Sequence, residues 1–429
     1  MNTHCVGALR ITVEREGARE HAKVSYPVRY GRYGEITSSG FVYHFNRKGE
    51  IRHLHARLDG WPHPADWLKR TPGNDWVYYS SGEYAEVFGL TGEYYLPCLS
   101  YPSNAVVGGN PFANPAVSAA LESLESLHLE LGHLAADTRR LPAAVRDFVG
   151  RIAASGPAAL RRRADRLRRL LGGRLTVLPP DTRHVDYDVL PVVVAQGCAY
   201  NCTFCRVKSG RPFRAREREA IGRQIEGVRR FFQEDLPNYN SVFLGDHDAL
   251  RAGAEVLEFA ARKAYERFDL AHSYLRGSNL FLFGSADTMA RSDEGLFQML
   301  EALPYAATYL NIGLESPDPA TLKALGKPVT PEVVEEAFAR ILNVNRRYMK
   351  IEASANFLIG AGLPPTHLPS VMALTSEHPV RSCVKGTAYL SPLIRRPPGP
   401  EERRKLLSRF REVKLASRLP VYLYLIQRL

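Results

Sequence analysis

From about residue 189 onward, apolar runs recur along the chain: VLPVVVAQ, SVFLG, NLFLFGS, ATYLNIGLE, ASANFLIG and GTAYLSPL. They do not alternate with polar residues as a half-exposed strand would, so they predict strands buried on both faces. The stretches between them carry apolar residues at helical spacing. The clearest is TPEVVEEAFARILNV, with Thr330 as N-cap, Pro331 at the first helical position and apolar pairs at 333/334, 337/338 and 341/342. DPATLKALG predicts a shorter helix, capped by Asp318 and ended by Gly326. Buried strands separated by helices predict an α/β fold with a parallel sheet and right-handed crossovers. Six βα units fall short of the eight of a closed barrel. The expected architecture over 184–395 is therefore a partial (β/α)6 TIM-like barrel, with its chemistry at the C-terminal strand ends. A C-terminal helix and tail fill 396–429, and the short apolar end LPVYLYLIQRL is expected to dock on the core.

The first 112 residues follow another rhythm. FVYHF and EIRHLHARL flank a turn at Asn46–Gly49 and predict a hairpin. Trp61, Trp67 and Trp76 all lie here, so this is read as an aromatic-rich β or α+β domain that shapes access to the barrel. Leu121, Leu124, Leu127, Leu131 and Leu134 then recur at three- and four-residue spacing, and AALRRRADRLRRLLGG follows Pro157 as a second helix. Residues 113–180 are thus a helical connector.

Composition narrows the picture only a little. A chain of 429 residues exceeds one ordinary core. The formal charge of +12 favours an anionic partner: nucleic acid, a phosphorylated metabolite or a membrane surface. The densest patch is Arg161, Arg162, Arg163, Arg166, Arg168 and Arg169, beside an apolar stripe of Leu160, Ala164, Leu167 and Leu171. It suits RNA phosphates or anionic lipid headgroups, or is a solvated face of a packed helix. MNTHCVGALRITVEREG lacks the pattern of a secretory signal, and no uncharged stretch reaches membrane-spanning length. Six cysteines in so long a chain do not form a disulfide framework, and the expected compartment is the cytoplasm.

Three of those six cysteines crowd into QGCAYNCTFC, as Cys198, Cys202 and Cys205, directly after the first buried strand. A structural zinc wants four protein ligands, and chance clustering of buried thiols is the other plain reading. A four-iron cluster needs one ligand per iron, so three thiolates leave one iron open to a reacting ligand. Cys198-x3-Cys202-x2-Cys205, with Phe204 before the last cysteine, resembles the signature of the radical S-adenosylmethionine (SAM) superfamily. The resemblance implies a [4Fe-4S] cluster chelated by SAM, reductive cleavage of SAM, hydrogen abstraction from a substrate, and a flavodoxin- or ferredoxin-type electron donor.

The resemblance runs from Asp188 to Leu393, and it implies further contacts strand by strand. Gly245 and Asp246 end strand two, where the family binds the SAM amino group, although the usual pair of glycines is missing. Ser285 ends strand three as a polar SAM contact. NIGLESPDPATLKALGKPVT is similar to the branch holding anaerobic coproporphyrinogen oxidase, Elongator-type and methylthiotransferase enzymes. There Glu315 would face the ribose or methionyl end, and Lys327 would meet the carboxylate in place of the usual arginine. On strand five Asn356 would be a polar contact and Ile359 would meet adenine through its backbone. His247 and Asp248, just after strand two, are expected to point into the barrel, and His247 is the candidate acid or base. Cys5, Cys98 and Cys383 form no second cluster motif, which argues against the sulfur-inserting members; Cys383 is either a hydrogen donor to a product radical or a small buried hydrophobe. An RNA-modifying enzyme, or an RNA- or membrane-binding protein with a structural iron–sulfur site, stands as the alternative. The substrate is not legible.

Overall fold

The computed structural model describes residues 3–22, 29–80, 84–94, 96–98, 103–107, 109–136, 141–173, 175, 177–205, 211–377 and 385–429. The N-terminal unit is an antiparallel meander of eight strands in sequential order: β1 (Thr3–Val6), β2 (Leu9–Glu16), β3 (Arg32–Ser38), β4 (Phe41–Phe45), β5 (Ile51–Ala56), β6 (Trp67–Arg70), β7 (Trp76–Ser80) and β8 (Leu96–Cys98), with α1 (Tyr84–Thr91) before β8. The expected hairpin is β4–β5. Its Gly49 sits at φ +77°, and a Cβ there would lie 2.5 Å from the Arg151 backbone, so both conformation and space require glycine.

Three helices follow, α2 (Pro115–Ala136), α3 (Ala143–Ala153) and α4 (Pro157–Leu171). Leu124, Leu127 and Leu131 of α2 and Val145, Phe148 and Val149 of α3 share one core with Ile11, Ile36, Tyr43, Phe45 and Leu54 of the sheet. The helices α2 and α3 are therefore the second layer of the N-terminal unit. The arginine-rich α4 spans two cores: Leu160 enters that of the sheet, whereas Leu167 and Leu171 enter that of the barrel. Two of its six arginines work inward. Arg163 donates to Glu50 Oε1 at 2.6 Å, and Arg168 to Asp165 at 3.2 Å and to the Gly73 carbonyl. Arg161, Arg162, Arg166 and Arg169 are exposed, so a polyanion could meet four arginines on this helix, not six.

The barrel begins with β9 (Leu190–Val193). A ribbon, β10 (Ala195–Gln196) with β11 (Arg214–Ala215), then holds the base of the cysteine loop. Thereafter strands and helices alternate: α5 (Arg218–Phe232), β12 (Ser241–Gly245), α6 (Ala254–Arg267), β13 (Asn279–Ser285), α7 (Ala286–Arg291), α8 (Glu294–Glu301), β14 (Ala307–Glu315), α9 (Pro319–Leu325), α10 (Pro331–Arg347), β15 (Ile351–Ile359), α11 (His367–Glu377), β16 (Ala388–Pro392), α12 (Pro400–Ala416) and β17 (Val421–Leu423). The parallel sheet is ordered β17-β16-β15-β14-β13-β12-β9. The six expected strands appear in order, and the apolar tail does more than dock: it supplies a seventh. The gap between edge strands β9 and β17 is stitched by irregular chain. Leu178 N–H donates to Gln427 O (2.8 Å), Tyr424 Oη to Leu178 O (2.6 Å), and the Asn104 amide makes two 2.9 Å bonds to the Ile426 backbone.

The N-terminal sheet seals the end of the barrel where the strands begin. Arg52 and Lys69 reach opposite oxygens of Asp188 at 2.6 and 2.8 Å, just ahead of β9. Asn46 Nδ2 donates to Asp235 (3.0 Å), and Asn238 Oδ1 accepts the Arg32 N–H (2.7 Å), both ahead of β12. Charges buried at such an interface need partners, and these pairs fix the sheet there. The sheet faces the opposite end, and among the described residues of the first 112 Ser103, after β8, reaches the upper cavity, so the expected shaping of access narrows to that segment. No helix among the described residues is long and apolar enough to cross a membrane.

Candidate active site

Alternation along a strand places every second residue on the inner face. On β14 these are Asn311, Gly313 and Glu315; on β15, Asn356 and Leu358; on β13, Phe283 and Ser285. Together they wall a cavity of about 290 Å³ at the C-terminal ends of the strands. Cys198, Cys202 and Cys205 line the same cavity with Tyr200 and Phe204, and Tyr424 and Ile426 close its side.

Local bonds shape the cysteine loop. Gly197 turns it at φ +75°, with the Pro212 carbonyl where a Cβ would stand. Cys198 N–H donates to Arg211 O (3.1 Å), Cys205 N–H to Cys202 O (3.3 Å), and Thr203 N–H to Leu325 O (2.8 Å), which ties the loop to α9. The Tyr200 N–H points at Cys198 Sγ from 3.3 Å, a donor suited to sulfur that carries negative charge. Burial raises the Cys198 thiol and pushes Cys202 up to about 11, with Lys327 pulling the other way. Both are thus thiols at neutral pH and release protons when metal binds. Among the described residues no three His, Cys, Asp or Glu side chains converge to hold one metal ion. All three thiols border the one cavity, and as ligands of a four-iron cluster they would leave one iron open to a further ligand.

At the end of β14, Glu315 adopts φ +66°, and the sheet register shifts between Gly313 and Glu315. Lys327 Nζ donates to Gly313 O (2.6 Å) and to Glu315 Oε1 (3.2 Å). The caps of α9 deliver it there: Asp318 accepts from Thr321 N–H, and Gly326 turns left-handed just before Lys327. Both partners are buried, and Glu315 Oε2 is buried with no hydrogen-bond partner among the described residues.

The other expected residues divide. Ser285 reaches the cavity, its hydroxyl 2.7 Å from Asp248, and Asn356 reaches it paired with Ser391 at 2.8 Å. His247 also lines it, whereas Gly245 and Asp246 do not; the Asp246 carboxylate turns to His247 Nε2 at 3.3 Å. Burial raises the Asp246 carboxyl, while His247 and Arg216 oppose the rise. Ile359 is fully buried outside the lining, and its carbonyl already accepts the Leu393 N–H (2.7 Å). Cys5 is exposed on β1, far from the site in sequence, and Cys383 lies outside the described residues.

Asp248 reaches the cavity beside His247, as expected, and organises strand-three chemistry from strand two by holding Ser285, Thr288 and Arg251. One site residue was missed. Asn311 is the lone polar residue in the middle of ATYLNIGLE, a signal available in the sequence. Its Nδ2 donates to Ser354 Oγ (2.9 Å), which donates to the buried Asp181 (2.9 Å), which also accepts from Tyr389 Oη (2.9 Å). Since the single Ser354 hydrogen is used on Asp181, the amide is fixed with Oδ1 buried at the cavity and unpartnered among the described residues.

Residues 192–364 match the family model described as "Radical SAM superfamily". No curated protein sequence matches the chain. Among solved structures, the chain is similar to the radical SAM methyltransferase TsrM from Kitasatospora setae with cobalamin and a [4Fe-4S] cluster bound, at 18% identity over 48% of this chain and 36% of that one, TM-score 0.34. It is similar to the cobalamin-dependent radical enzyme OxsB with aqua-cobalamin and SAM bound, at 17% identity over 56% and 33%, TM-score 0.35. Streptococcus suis SuiB bound to SAM aligns at 10% identity over 83% and 70%, TM-score 0.35. The chain spans about a third of the length of TsrM and OxsB. The match to the radical SAM family model thus falls within the barrel, on the stretch that carries the cysteine loop, Glu315 and Lys327.

Proposed function

We propose that this enzyme binds its cluster through Cys198, Cys202 and Cys205, cleaves SAM there reductively, and abstracts hydrogen from a substrate seated in the barrel. The observation that carries the reading is the meeting of three thiols and the Glu315–Lys327 pair on one cavity. When bound, the reduced cluster supplies the electron that splits SAM into methionine and a 5′-deoxyadenosyl radical, which takes the hydrogen.

The chain's own groups bind and orient. Glu315 Oε2 lacks a partner among the described residues and is suited to accept from the SAM amino group, a role the sequence had suggested for Gly245 and Asp246. Lys327 offers a point charge to the carboxylate while its bond to Gly313 O holds it in place. Ser285 and Asn356 supply neutral polar contacts on neighbouring strands, and Phe204 packs the rim. His247, on the cavity wall, is the acid–base candidate. The net positive charge suits an acidic flavodoxin or ferredoxin as donor. Within the superfamily, the similarity of NIGLESPDPATLKALGKPVT supports a reading of the chain as a relative of the coproporphyrinogen oxidase, Elongator and methylthiotransferase branch.

The test is anaerobic reconstitution with iron and sulfide, reduction with dithionite, and chromatography for 5′-deoxyadenosine and methionine in equal amounts. A fully loaded protein that yields neither product from SAM overturns the reading.

A further inference from the structure

We infer that His367 is a positioning residue, which clamps the end of β14 to β15 and so holds Glu315 and Lys327 in their binding geometry. This rests on the proposed role of those two side chains in meeting SAM.

The imidazole is fully buried at the start of α11, away from the cavity lining. Its Nε2 lies 2.7 Å from the Leu358 carbonyl, which can only accept, so Nε2 carries the hydrogen. Nδ1 of the neutral ring is then an acceptor, and it takes the Ser316 hydroxyl hydrogen at 2.8 Å. The Ser316 oxygen in turn accepts the Asp318 N–H at 3.0 Å. Burial lowers the imidazole pKa, against the pull of Asp318 and Glu315, which keeps the ring in this neutral form.

The bonds matter because of where Ser316 stands. Its neighbour Glu315 holds a left-handed backbone that a side chain other than glycine adopts only under constraint. Relaxing that residue toward an extended strand would carry the carboxylate toward the other face of the sheet. Asp318 starts α9, whose far end delivers Lys327. The partner of Nε2, Leu358, itself lines the cavity. One ring thus ties three parts of the site together: the Glu315 turn, the α9 cap and the β15 wall.

Calorimetric titration of the anaerobically reconstituted protein with SAM tests this. The variants are His367→Phe, His367→Gln, Ser316→Ala, Glu315→Gln, and His367→Phe combined with Glu315→Gln. Gln can accept at one amide atom and donate at the other, and is expected to stay within threefold of wild type. His367→Phe and Ser316→Ala each lose about tenfold in affinity, with iron content and near-ultraviolet circular dichroism unchanged. In the Glu315→Gln background, His367→Phe adds clearly less than its own tenfold, because the part of its effect that acts through the carboxylate is gone. Full tenfold losses that multiply in the combined variant overturn the inference. So does wild-type affinity in Ser316→Ala, which stays informative even where His367→Phe fails to fold. Wild-type affinity in Glu315→Gln alone instead sinks the proposed SAM contact, and with it a positioning role for His367 through that residue.

Discussion

Lys327→Met separates the cost of an unpaired buried charge from the loss of a ligand interaction. The Lys327 and Glu315 side chains are 3% and 11% exposed, so solvent screens their pairing little. Removing one partner of such a pair costs about 3 to 5 kcal/mol, because the remaining charge stays buried without compensation. Removing both, as in Lys327→Met with Glu315→Gln, leaves chiefly the Gly313 carbonyl without its donor, about 1 to 3 kcal/mol. The single variant is therefore expected to be less stable than the double by about 2 kcal/mol. For a cooperative unit of roughly 200 residues each kcal/mol shifts the melting midpoint by about 2 to 4 °C. That places the single variant about 10 °C below wild type and the double about halfway back. Thermal melts followed by far-ultraviolet circular dichroism, without SAM, read both. A single variant no less stable than the double refutes the reasoning, since the pair then carries no buried charge worth compensating.

Three further outcomes are expected. Alanine at Cys198, Cys202 and Cys205 together abolishes bound iron and sulfide after anaerobic reconstitution, while the tryptophan emission of the N-terminal sheet, whose core is separate, stays native; a full cluster in that variant removes the assignment. His44 is neutral in the fold, accepting from Arg29 and donating to Glu35, and burial lowers its pKa to about 4. The unfolded chain takes up that proton near pH 6.5, so stability falls as pH drops from 6.5 to 4, by about 3 kcal/mol from this residue; urea melts read by Trp67 fluorescence should show a flatter pH dependence in His44→Gln, and equal slopes would contradict the mechanism. Replacing Arg162, Arg166 and Arg169 by Gln leaves SAM cleavage unchanged and lowers the logarithmic salt slope of any RNA binding by about 0.7 for each phosphate no longer neutralised, measured by filter retention at several salt concentrations; reduced SAM cleavage would place α4 in the catalytic unit.

Much of the barrel was legible because its strands are buried on both faces, which writes each of them as an apolar run, and because caps such as Asp318, Thr330 and Gly326 mark the helix ends. The cysteine loop was legible for a chemical reason: three thiols at fixed spacing have few other uses. What escaped depends on contacts distant in sequence. β17 is three residues long, too short for any periodicity, and exists because Tyr389 and its neighbours offer a ladder. The docking of the sheet under the barrel rests on pairs such as Arg52–Asp188, which join charges 136 positions apart. Asp246 is the residue the resemblance selects, yet the path of the turn sends its carboxylate to His247 and off the cavity lining. His367 looks like an ordinary polar residue in a proline-rich loop until Ser316 and Leu358 are seen on either side of it.

The stitched wall between β9 and β17 has a consequence for the order of events in synthesis. Asn104 meets Ile426 across 322 positions, and Leu178 meets Gln427 across nearly 250. A ribosome must therefore release residue 427 from its exit tunnel before that side of the cavity exists, long after the cysteine loop has emerged. Through that interval the parallel strands present an open edge and an apolar interior to solvent or to chaperones. Until that closure, the cysteine loop stands without the wall that Tyr424 and Ile426 supply beside it.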